Sequence, residues 1–158
     1  MSEMNYNLLT QTDFRAIIAD EKAKEFDYFL QTCNIPSISI NSAPTPYKNR
    51  RSKMPGETVE YSPLSFTFLV AEDLVNFKYI HDWILSTRNE DDKDTWFKDI
   101  TIHALTNNKG VNVDFVFRGC FPTNLGDIQL ESNVSDTQPI ICNATFEYEY
   151  YDIVVRKE

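Results

Sequence analysis

The side chains best able to do chemistry are few and far apart. Two histidines are present, His81 and His103, and neither has a second His or a Cys at metal-ligand spacing. With so few imidazoles, a Ser-His-Asp or Cys-His arrangement for nucleophilic catalysis has little support, and both histidines read as structural. The three cysteines, Cys33, Cys120 and Cys142, are an odd number with no close pair. They exclude a full disulfide framework within one chain and fit reduced thiols in a cytosolic compartment. The acidic run Glu90-Asp91-Asp92-Lys93-Asp94 lacks the alternating ligands and central glycine of a calcium loop, so it reads as a solvated loop. Neither glycine-rich phosphate-cradling motif occurs. Two glycosylation sequons, at Asn133 and Asn143, carry no weight without a secretory signal. No convergent titratable cluster points to an enzyme, a cofactor or a metal.

Charge narrows the binding classes. The formal net charge of −9 over 158 residues argues against a surface that grips phosphates. One basic cluster stands against this background: Lys48, Arg50, Arg51 and Lys53. It is short, and Tyr47 is its only stacking aromatic, so a nucleic-acid patch fits poorly. Two readings stand: a solvated basic loop, or a contact for an acidic surface on a neighbouring copy, with 90–94 and 152–158 as candidate surfaces. The chain has no basic-then-apolar leader pattern and no apolar run near the ~20 residues of a membrane span.

The elements that must position these groups are mostly strands. Hydrophobic residues make up 42% of the chain and aromatics 13%, with eleven Phe and eight Tyr, enough for one core in a single domain spanning 1–158. Residues 1–12 read as an arm ordered by contact. Segments 14–19 and 26–34 are strand candidates joined by a charged turn, together an N-terminal hairpin. The stretch 35–63 holds five prolines and the basic cluster. It is too long for plain loop, and extended arms or a long hairpin packed on a neighbouring subunit would explain it. Residues 65–70 alternate as a half-buried strand.

Residues 72–87 read as the one helix, with Leu74, Phe77, Ile80, His81, Ile84 and Leu85 on one stripe. A second stripe, Val75, Tyr79 and Trp83, reads either as burial against another chain or as packing within the same domain. Segments 100–105 and 111–117 form an antiparallel hairpin around 107–110. A last, unusually long strand runs over 140–155. Its even positions 142, 144, 146, 148 and 150 are mostly apolar, whereas Asn143, Thr145, Glu147 and Glu149 are polar. That polar face meets either solvent or a channel, and a channel that passes DNA should carry negative charge and few cations.

Between these last segments lies Gly119-Cys120-Phe121-Pro122-Thr123-Asn124-Leu125-Gly126-Asp127-Ile128-Gln129-Leu130. Two glycines and a proline within eight residues predict a tightly shaped connection. The positions Gly119, Pro122, Thr123, Asn124, Gly126, Gln129 and Leu130 resemble the signature of tail tube proteins from contractile-tailed bacteriophages. The order of elements over 13–151 follows the same family.

The resemblance implies a mainly β fold: an antiparallel β-sandwich or barrel with one flanking α-helix. It further implies six copies joined in a ring, with their strands forming an inner β-barrel. Rings would stack through long loops and arms, meet a tail sheath outside, and bind baseplate and tail-terminator proteins at the tube ends. DNA would pass the lumen without specific binding. Such a protein belongs to the virion tail and is assembled in the bacterial host cytoplasm. The extension 152–158 and the N-terminal arm depart from the family pattern and suggest a baseplate or tube-end ring as the alternative to a repeating subunit. A small β-sandwich binding module is the alternative of another class.

Overall fold

The computed structural model describes residue 9 and residues 13–23, 29–106 and 110–156. The expected arm, Leu9 apart, lies outside the described residues. So do the last two residues of the charged turn, the start of the expected strand 26–34, the tip of the 107–110 turn and the last two residues of the 152–158 extension.

Among the described residues, nine strands and one α-helix follow in order: β1 Phe14–Ile18, β2 Leu30–Asn34, β3 Ile38–Tyr47, β4 Arg50–Tyr61, β5 Leu64–Leu69, α1 Val75–Ser86, β6 Lys98–Leu105, β7 Val111–Leu125, β8 Ile141–Glu147 and β9 Tyr150–Val155. All described pairings are antiparallel, so the fold is mainly β with one α-helix, as expected. The strand order is β1-β6-β7-β8-β5-β2, with β9 on β7, and among the described residues β3 pairs only with β4.

The long strand β7 organises everything. Residues 111–117 pair with β6 on one edge and 113–118 with β9 on the other, whereas 121–125 pair with β8. The first half therefore belongs to a sheet β1-β6-β7-β9 and the second to a sheet β7-β8-β5-β2. The halves meet at Gly119, whose φ of +65° is a left-handed conformation that L side chains rarely adopt. Asp99 clamps the bend: its Oδ1 accepts from the Gly119 amide (3.2 Å) and its Oδ2 from Arg118 (2.8 Å).

Two expectations are corrected here. The stretch 119–125 is strand, and the chain turns only after Leu125. Pro122 is tolerated because β6 leaves β7 after the Lys98–Cys120 pair, so β7 there needs ladder bonds on one side only. The single strand over 140–155 is two strands. β8 follows the far half of β7 and β9 the near half, so the chain must bend at Tyr148-Glu149, where the Glu149 amide donates to the Arg118 carbonyl (2.9 Å).

The N-terminal hairpin is also corrected. β1 pairs with β6 and β2 with β5, because each buries its apolar face only beside a strand distant in sequence. The stretch 35–63 is the ribbon β3–β4, turning at Lys48-Asn49 with Asn49 at φ 66°. The acidic run is not plain loop: it lies in a short 3-10 helix, Glu90–Thr95, capped by Asn89.

The two sheets and the helix share one core. Ala16, Ile18, Ile100, Ile102 and Phe117 come from one sheet, Leu64, Phe66, Phe68, Cys142, Ala144 and Phe146 from the other, and Ile80 and Trp83 from α1. The helix starts later than expected, because Leu74 takes a left-handed φ of 58° and Asp73 accepts from the Val75 amide. Its buried stripe is Asn76, Ile80 and Trp83, rotated from the expected one; Leu74, Leu85 and His81 are exposed. Asn76 survives burial because its amide donates to the Leu69 carbonyl (2.7 Å) and its oxygen accepts from the Phe77 amide (2.9 Å).

Trp83 is only 3% exposed, packs on Phe146 (5.6 Å between rings) and donates to the Trp96 carbonyl (2.8 Å). It is spent inside its own chain, which corrects its place among candidate contacts with another subunit. Tyr79 is half-buried and donates to Asp20 (2.8 Å), and Lys98 Nζ pairs with the same carboxylate oxygen (2.6 Å). This cluster ties the turn after β1 to α1 and β6. The Lys98 hydrogen bond holds the Asp20 carboxyl down from an ordinary 3.8 to about 2.

Two outcomes follow. Trp83→Ala should lower stability by about 3–5 kcal/mol in the isolated chain, read by denaturant unfolding; no loss in the monomer would return Trp83 to an interface. Because the folded Asp20 pKa lies below its unfolded value, its stabilisation is present above about pH 4 and is lost as pH falls toward 2. Lys98→Met should flatten that part of the acid unfolding profile.

Candidate functional site

The inner faces of the strands are committed to the core, so the outer faces carry whatever the protein does. On β8 the residues Cys142, Ala144 and Phe146 are buried, leaving Asn143, Thr145 and Glu147 on the opposite face. Cross-strand register extends that face across the whole sheet. One row runs Asn34–Ser65–Thr145–Asn124, and the next begins Thr32–Thr67–Asn143. The rows are laced together: Thr32 and Thr67 hydroxyls are hydrogen-bonded, Asn34 donates to Ser65 (3.5 Å), and Thr123 donates to the Thr145 carbonyl (3.3 Å). Such pairs contribute roughly 0.2–1 kcal/mol each, and they order the polar side chains of this face.

This face is made mainly of hydroxyls and amides, with one carboxylate, Glu147, apolar Leu69 and Ile141 at one end and Phe121 opposite Glu147, and no Lys or Arg among the strand residues that form it. Phosphate affinity comes chiefly from cations, so a polyanion beside it is neither held nor neutralised. Of the expected channel residues, the structure brings Asn143, Thr145 and Glu147 together. Glu149 is separated from them, because it sits in the bend after β8 beside Gly119. Sequence reasoning missed Thr32, Asn34, Ser65, Thr67 and Asn124 as members of the face. The period-2 alternation of 65–70 marked Ser65 and Thr67 as one face, but only register shows which neighbours share it.

The signature residues divide by role. Gly119 makes the bend, and Pro122 is buried opposite Phe146. Thr123 and Asn124 lie at a register shift in the polar face. Gly126 donates its amide to the Asn143 carbonyl (2.7 Å), and a Cβ there would collide with the Asn143 side-chain oxygen. Gln129 and Leu130 are exposed in the connection that follows, where Gln129 donates to Glu131.

The remaining candidates are surface groups. Lys48, Arg50, Arg51 and Lys53 lie at or beside the turn of the β3–β4 ribbon, all exposed. Val75 is 51% exposed at the start of α1. His103 is hydrogen-bonded to Asp114 (2.6 Å), whose other oxygen accepts from Arg156 (2.9 Å). Burial opposes the Asp114 charge, yet these two partners hold its pKa below the usual carboxylate value. The cluster fastens the end of β9 to β7. His81 is exposed beside Asp82. Burial alone raises the Cys33 thiol to about 12, and burial dominates the same rise at Cys120, which marks both as inert packing groups. Among the described residues, no group of three or more His, Cys, Asp or Glu side chains is arranged to hold a metal ion.

The family described as phage tail tube protein matches residues 3–154. The chain is 26% identical over 158 residues to the tail tube terminator protein of Enterobacteria phage T4, covering 94% of this chain and 90% of that protein. It is 24% identical over 111 residues to the tail tube protein of Serratia phage KSP90, covering 67% and 63% respectively. Among solved structures, a chain of the anti-feeding prophage baseplate superposes with a TM-score of 0.73 at 13% identity, covering 96% of this chain and 98% of that one.

The close approach of Gly126 to Asn143 gives a direct test. Gly126→Ala should lower stability by roughly 1–3 kcal/mol through overpacking, measured by thermal unfolding. Adding Asn143→Ala should recover the side-chain part of that loss; full additivity of the two changes would refute the contact.

Proposed function

The chain belongs to the phage tail tube protein family, and we propose that it forms a hexameric ring of the tail tube, with the polar face of the β7-β8-β5-β2 sheet lining the lumen. The family is one of structural tail proteins, so the chain is a structural component of the virion and not an enzyme. The observation that carries the ring reading is the pairing of a cation-free polar face with two open sheet edges, β2 at one end and the far half of β7 at the other. Exposed edges invite pairing, and closing copies side by side into one barrel removes them. DNA would then pass a wall of hydroxyl and amide groups without being held.

The opposite sheet faces outward in this arrangement and is the surface offered to a tail sheath. Baseplate and terminator proteins would meet the ring at its two rims, and assembly would take place in the host cytoplasm before the tail is complete. The exposed groups Val75, Lys48, Arg50, Arg51 and Lys53 are then candidate contacts between subunits.

A second reading, a single ring at the end of the tube, is favoured by one observation. The tail tube terminator relative aligns over 94% of this chain, against 67% for the tail tube relative. Negative-stain electron microscopy of the purified chain should show rings or tubes at high concentration. A monomer at every concentration, with or without tail partners, would sink both readings. Copy number in the native particle separates them: a repeating subunit appears in many multiples of six, a tube-end ring in about six or twelve copies.

A further inference from the structure

The β7-β8-β5-β2 sheet is regular in its middle and broken at its two ends. The central ladder pairs all six residues of β5, Leu64–Leu69, with residues 141–146 of β8 and has no register shift. Each end strand carries one residue too many. On β2, Leu30 faces Phe68 and Thr32 faces Thr67, so Gln31 has no partner residue on β5. On β7, Pro122 faces Phe146 and Asn124 faces Thr145, so Thr123 has no partner residue on β8. Both are β-bulges, which bend the strand that holds them and increase its twist. Both also lie on open edges: among the described residues β2 pairs only with β5, and β6 leaves β7 after the Lys98–Cys120 pair.

The two bulges share one pattern. Leu30-Gln31-Thr32-Cys33 and Pro122-Thr123-Asn124-Leu125 each set two consecutive exposed polar residues between two that are buried or half-buried. The core does not require the extra residue. Without Gln31, Leu30 and Cys33 would still face Phe68 and Phe66, with Thr32 alternating between them. Without Thr123, Pro122 and Leu125 would still face Phe146 and Ala144, with Asn124 between them. Removing one residue from each edge thus leaves clean period-2 strands with the same core-facing side chains. What the extra residues add is a bend at both ends of the sheet. The Thr123 hydroxyl ties its bulge to β8 by donating to the Thr145 carbonyl (3.3 Å).

Closing a ring is a demand on curvature. Each of six copies must turn the wall by about 60° and each of seven by about 51°, so about 9° per copy separates the two. Flat sheets do not close, and bulges at defined positions both curve a barrel wall and pin its register.

We propose that Gln31 and Thr123 set the curvature at which β2 of one copy meets the far half of β7 in the next, and so fix the number of copies in the ring. This deepens the ring reading above and rests on it. Both are positioning residues: they act through the course of the backbone at the seam.

The test is deletion on the full chain. Deleting Gln31 and Thr123 together keeps every flanking pair and straightens both edges. Native mass spectra and electron micrographs should then shift from six copies to about seven or more, or to arcs that do not close. Circular dichroism and thermal unfolding check that the variant folds. Point substitutions keep the test open where a deletion fails to fold. Thr123→Val removes the hydroxyl that ties the bulge to Thr145 and should broaden the distribution of copy numbers, whereas Thr123→Ser should keep it uniform. A purely structural role lowers stability and leaves copy number alone. A folded double deletion that closes with the wild-type copy number or stays monomeric, or a Thr123→Val distribution as narrow as that of Thr123→Ser, overturns the proposal. Deletion variants that aggregate through their edges assign the bulges to edge protection and overturn it as well. A wild-type chain that forms no rings overturns the ring reading itself and is seen before any variant is made.

Discussion

Everything in this structure depends on one strand serving two sheets. β7 runs fifteen residues, pairs with β6 and β9 through its first half and with β8 through its second, and changes direction at Gly119. A backbone with φ +65° costs little only without a Cβ. The bend would open buried amides to no partner, but Asp99 and the Arg118 carbonyl satisfy the Gly119 and Glu149 amides on either side. The break between β8 and β9 is forced by the same geometry, because both lie along one side of a bent strand.

From that bend follows the division of surfaces. Two sheets turned against each other, with α1 beside them, enclose the phenylalanines, Trp83 and the small residues between them. Outside lie, among other surfaces, a sheet face made mainly of hydroxyls and amides, one ribbon of cations, and a long acidic return. The charge of the chain is thus segregated: strongly acidic overall, yet with four basic residues concentrated at or beside one turn. In the proposed ring, such segregation would keep cations off the face turned to the lumen.

Much of the fold was legible in the chain because its periodicity is local. The alternation of Phe66 and Phe68 with Ser65 and Thr67, and of Cys142, Ala144 and Phe146 with Asn143 and Thr145, names strand and buried face without any partner. The pairing of 100–105 with 111–117 is adjacent in sequence and equally readable. The glycine–proline segment was visible as special, and it carried the family resemblance, yet its type was misjudged. Glycine and proline ordinarily punctuate turns, whereas here Gly119 bends a continuing strand and Pro122 sits where one edge needs no donor.

By itself, then, the sequence determined the class of fold, the strand faces, the family and the absence of anion-gripping charge from most of the surface, since these follow from residue types and short-range spacing. Tertiary structure alone decided that β1 and β2 part to opposite sheets, that Trp83 belongs to the core, and that Glu149 leaves the polar face. Each of these depends on which distant strands lie side by side, and the free energy of such pairing is set by the shared core rather than by any local run of residues.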